Sequence, residues 1–68
     1  MTDEYIFLNL EALLRKYGIH KLILCSALKI SLACLEDFLA KRLKPTPEMF
    51  EILRELFAEY SKEATMEF

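Results

Sequence analysis

The side chains able to attack, shuttle protons or ligate metals are few in this chain of 68 residues: Cys25, Cys34 and the single histidine, His20. The cysteines lie nine positions apart, which is neither a redox CxxC pair nor a metal knuckle. A structural zinc site takes about four ligands, and His20 with two thiols falls short of that. In a reducing compartment both cysteines read as small buried hydrophobes. The single glycine leaves no loop of the Walker or dinucleotide type to cradle phosphate. His20 has no serine or cysteine in an activating context, so no enzyme is expected. No catalytic residue, metal ligand or cofactor is assigned.

Basic side chains are the next candidates. The net charge is −2, but it is unevenly spread. Residues 1–14 carry −3, residues 15–44 carry +5, and residues 45–68 carry −4. Arg15, Lys16, Lys21, Lys29, Lys41, Arg42 and Lys44 make the middle segment basic. In a nucleic-acid reading, Lys21, Lys29, Lys41, Arg42 and Lys44 are the candidate contacts, because phosphate neutralisation supplies that affinity. The overall acidic balance weighs against it.

These groups must be positioned by a small and unusually oily chain. Apolar residues make up 54% of it, above the roughly 45–50% of average domains. A single domain over residues 1–68 buries only roughly 60% of its unfolded surface at this length. The surplus implies a face for a partner or a second copy. Disordered segments are poor in apolar and aromatic residues, so disorder is not expected. No apolar run approaches the roughly 18 residues of a membrane span. The N-terminus, Met1-Thr2-Asp3-Glu4, has no basic segment of the secretory type. A cytoplasmic protein is expected.

The periodicity is helical throughout and predicts an all-α fold of four to five short helices. A first helix is expected over residues 3–17. Thr2 is its N-cap, Asp3 and Glu4 suit its positive end, and Gly18 stops it. Its stripe is Ile6, Leu10, Leu13, Leu14 and Tyr17, widened by Phe7 and Leu8. A second helix is expected over residues 21–28, capped by His20, with Ile19 and Leu24 as a hydrophobic staple. Its core face is Leu24, Cys25 and Leu28. After a tight turn at Lys29 and Ile30, Ser31 caps a third helix over residues 32–40 that faces inward with Leu35, Phe38 and Leu39. Residues 41–44 form a basic connector. Thr46-Pro47-Glu48 then opens a fourth helix to about residue 61, since it combines a cap, a proline at the first helical position and an acid in the first turn. That helix carries two stripes, Phe50, Leu53, Phe57 and Tyr60, and Met49, Ile52 and Leu56.

Two short helices joined by a three-residue turn, at about residues 20–40, make a helix-turn-helix candidate. Over residues 10–56 the sequence resembles the lambda-repressor-like family, the Cro and repressor domains of phage and bacterial regulators. The resemblance rests on Gly18-Ile19, on Leu24-Cys25 with Leu28, on Ile30-Ser31 and Leu35, and on Phe38-Leu39. It closes on Arg42-Leu43-Lys44-Pro45-Thr46-Pro47-Glu48, where the family often has a basic stretch and a Pro-Ser-Pro opening the next helix. It implies a helix-turn-helix bundle whose third helix would be the recognition helix. In the family the first turns of that helix are polar or basic. Here they are Leu32, Ala33, Cys34, Glu36 and Asp37. Apolar side chains cannot make the bidentate bonds that read G or A, and the two acids repel phosphate. Lys21 stands where the family often has a contacting glutamine. Lys29 stands where it prefers glycine, at a cost if φ is positive there.

Leu22, Ile23, Leu32 and Ala33 fall outside the expected core positions and, with Glu36 and Asp37, form the expected partner-binding face. Met49, Ile52 and Leu56, with Met66 and Phe68, form a candidate homodimer seam that Tyr5, Phe7 and Leu8 could join. The acidic row Glu48, Glu51, Glu55, Glu59 and Glu63 reads as a solvated helix face. The expected function is that of a small regulator, in size and architecture like phage anti-activators and inhibitors. It would occlude a host transcription factor, ATPase or other host protein. The alternative is a Cro-like DNA-binding repressor.

Overall fold

The computed structural model describes residues 2–66, with side chains as far as Ser61. The described chain is all-helical: α1 (Asp3–Leu8), α2 (Leu10–Tyr17), α3 (Lys21–Leu28), α4 (Leu32–Leu39) and α5 (Pro47–Met66). Four helices start where a side chain can accept one of the free first-turn amides. Thr2 Oγ1 accepts from Tyr5 N–H at 3.1 Å and His20 Nδ1 from Leu22 N–H at 3.1 Å. Ser31 Oγ accepts from Cys34 N–H and Thr46 Oγ1 from Met49 N–H, both at 3.2 Å. Each such cap contributes about 1 kcal/mol.

The single first helix expected over residues 3–17 is instead two. Asn9 leaves helical geometry at φ −116°, ψ 19°. Its backbone amide and its side-chain amide both donate to the Tyr5 carbonyl, at 3.0 and 2.9 Å. Asparagine competes with the helix in this way because its short amide reaches nearby backbone groups. The break re-aims the stripe, so that Ile6 on α1 and Leu10, Leu13 and Leu14 on α2 all reach one core. The last helix continues past residue 61 to Met66.

Three helices close on the same device, a left-handed residue followed by a bond back to the last turn. After α2, Gly18 has φ 67° and Ile19 N–H donates to the Leu14 carbonyl at 2.9 Å. Lys29 has φ 57° after α3, with Ile30 N–H on the Cys25 carbonyl at 3.0 Å. At the end of α4, Lys41 has φ 65° and Arg42 N–H reaches the Asp37 carbonyl at 2.9 Å. This is the paired-bond ending that glycine usually serves. Lysine serves it twice here, at a steric cost.

The core is one cluster: Ile6, Leu10, Leu13, Leu14, Ile19, Leu24, Cys25, Leu28, Leu35, Phe38, Phe50, Leu53 and Phe57. Ile19 and Leu24 are both buried, as the staple requires. Tyr17 and Leu39 sit at the cluster's edge rather than within it. The Tyr17 ring packs on Phe57 with centroids 5.7 Å apart. Among the described residues no buried side-chain polar atom lacks a partner.

Two of the three left-handed positions give opposite expectations. Lys29→Gly removes strain and raises stability by about 0.5–1 kcal/mol. Gly18→Ala lowers it by about 1 kcal/mol, for conformational reasons alone, because an added Cβ would meet nothing within 4 Å. Thermal melts check both, since about 1 kcal/mol shifts the midpoint of a domain this size by roughly 4–8 °C.

Candidate protein-docking surface

The surface built on α3, the turn and α4 carries most of the expected site. Leu22 is 59% exposed, Ile23 44% and Leu32 46%. Ala33 and Glu36 are exposed and Asp37 is half-buried. All six expected partner-facing residues thus reach solvent. Lys21 Nζ bonds Glu36 Oε1 at 3.0 Å, tying the start of α3 to the middle of α4. Leu32 lies four positions before Glu36 and so shares its face of α4. The other acid of α4, Asp37, accepts from Arg42 Nε at 3.0 Å.

These pairs change the electrostatics of the basic middle segment. Lys21 and Arg42 are matched by the two acids of α4, and Arg15 pairs with Glu11 at 3.3 Å. Lys16 sits over the Tyr17 ring, 5.6 Å from its centroid. Lys41 has a different task. Its ammonium donates to the Phe7 carbonyl, in the last turn of α1, and lies 4.9 Å from the centroid of the Phe7 ring. A cation suits the negative end of a helix, so Lys41 caps α1 from the far side of the chain. Lys29 and Lys44 remain exposed without an ion pair among the described residues. The candidate nucleic-acid set is thus divided between structural roles and two free cations.

Both cysteines are free; Cys25 lies in the core and Cys34 packs against its edge. The hollow at the α2–α3 corner is lined by Leu14, Gly18, Ile19 and four polar residues, Glu11, Arg15, His20 and Lys21. Each of those four already serves a cap or an ion pair. Among the described residues no helix is long and apolar enough to cross a membrane.

The second expected face is less apolar than its sequence. Met49 and Leu56 are half-buried against the core, leaving Ile52 at 37% exposure. Ile52 and Leu56, with Glu55 and Glu59, line a shallow groove along α5. Phe7 packs against the core, while Tyr5 and Leu8 of α1 are exposed. The Met66 side chain and Phe68 lie outside the described residues. Leu43, in the connector, is 47% exposed and lies outside every apolar stripe of the sequence. Its place between basic residues hid it, since no periodicity reaches into a loop.

No family model matches this chain, and neither does any curated protein or solved structure.

The role given to Lys41 has a direct test. Lys41→Ala lowers stability by about 1 kcal/mol, through the lost carbonyl bond and ring contact. Lys44→Ala stays within about 0.5 kcal/mol of the parent, as exposed substitutions do. Urea denaturation of the two variants separates them.

Proposed function

We propose that this chain is a small regulator that acts by protein–protein contact, its helix-turn-helix face docking on and occluding a host transcription factor or other host protein. In that reading it is a phage-type anti-activator or inhibitor built on a lambda-repressor-like domain whose recognition helix has been turned to a protein partner. One observation carries the proposal. Leu22, Ile23 and Leu32 stand exposed on α3 and α4, beside acids already matched by Lys21 and Arg42. Covering these side chains strands neither acid of α4, and apolar anchors with a polar rim are the usual anatomy of a protein interface. The same pairing weakens it as a surface for phosphate.

The second reading, a Cro-like repressor, draws support from Lys29 and Lys44, which are exposed and unpaired among the described residues. Leu32→Glu tests between them. Leu32 is exposed, so the variant keeps its helical spectrum and melting behaviour. In the protein-binding reading it loses about 2 kcal/mol or more of affinity for the partner that the parent captures, as anchor residues do. The parent chain also gives no mobility shift with duplex DNA at low salt. Tight DNA binding that falls steeply with salt, and no specific capture of a host protein, would overturn the proposal.

A further inference from the structure

The outer face of α5 supports a second docking surface, independent of the one on α3 and α4. Its apolar row is short: Ile52 and Leu56 line a groove with Glu55 and Glu59. Glu48 and Glu51, both exposed, continue the acidic border towards the start of the helix. The one arginine of this stretch, Arg54, is held on the other flank of α5 by Asp3 of α1. Among the described side chains the groove is therefore bordered by one sign of charge. Pairing it with a second copy across a two-fold axis would set the glutamates of one copy against those of the other, and like-charge juxtaposition opposes association. The same border repels nucleic acid and anionic lipid. Residues 52, 55, 56 and 59 follow the three-and-four spacing of helix packing, in which the ridges of one helix seat in the grooves of another.

We propose that this groove takes a basic amphipathic helix of a protein partner, with apolar side chains seated against Ile52 and Leu56 and lysines or arginines facing Glu55 and Glu59. The occupant is set by charge complementarity, and its helical form by the register of the groove.

The test uses the full chain and two synthetic helical peptides, one of leucine and lysine and its twin with every lysine replaced by glutamate. Amide NMR titration is expected to shift Ile52, Glu55, Leu56 and Glu59 with the lysine peptide and to leave them unmoved by its twin. The double variant Glu55→Lys, Glu59→Lys weakens the lysine peptide by about tenfold and gains binding of the glutamate twin. Equal binding of both peptides would overturn the inference, as would shifts confined to α3 and α4. Self-association of the free chain that Ile52→Ser abolishes would make a second copy the occupant and overturn it too. Loss of partner binding in Leu32→Glu leaves this groove unaffected, so the two surfaces fail separately.

Discussion

Short helices cannot hold themselves, and everything in this fold depends on turning them back quickly. The helices α1 to α4 have six to eight residues each, below the roughly 12–15 at which an isolated helix is even marginal in water. Their persistence rests on burying one stripe each against α5 and against one another. That requires the chain to stop and reverse after each element. The left-handed residues at Gly18, Lys29 and Lys41 do this, each passing an amide back to a free carbonyl of the helix just ended. Two of the three reversals carry strain, since lysine has a Cβ where glycine would have none. Packing must supply the compensation, and residues such as Leu24, Leu35 and Leu53, fully enclosed in the core, show where it comes from.

Rapid reversal also explains why so much apolar surface is left outside. A helix of two turns has only a few inward positions, and α3 has eight residues of which Leu24, Cys25 and Leu28 occupy them. Leu22 and Ile23 have nowhere to go but solvent. On α4 the same limit leaves Leu32 outside while Leu35 and Phe38 go in. The exposed leucines are therefore not failures of a larger core. They are positions that the core of this chain does not reach, and the proposed docking face is built on them.

How much of this was legible depends on whether the signal was local. The caps Thr2, His20, Ser31 and Thr46 were readable, because a side chain three residues or fewer from its amide leaves a mark in residue type. The inward stripes were readable for the same reason, and with them the exposure of Leu22, Ile23 and Leu32. Asn9 carries no clear mark of a break, because the apolar period runs through it and one asparagine disfavours a helix interior by less than about 0.7 kcal/mol. Lys41 showed no sign of its left-handed turn, since lysine has no special preference for one. The ion pairs were equally hidden: Lys21 and Glu36 are fifteen positions apart, and only the folded turn brings them to 3.0 Å. That pairing is what changes the reading of the site, because summed charge along the segment counts Lys21 and Arg42 as free cations.

Charge placement then separates the two faces in a way that apolar content does not. On α4 the acids Glu36 and Asp37 each meet a base, so neither stands as an unmatched carboxylate beside the exposed leucines and isoleucine. On α5 the acids Glu48, Glu51, Glu55 and Glu59 border their apolar row without a base of their own among the described side chains. A neutral apolar face selects its partner by shape and is little affected by salt. A one-signed face selects by charge and weakens as salt screens it over roughly 8–10 Å. In the proposed reading, the pairing of Glu36 and Asp37 with Lys21 and Arg42, more than the count of lysines, sets which class of partner the α3–α4 face would receive.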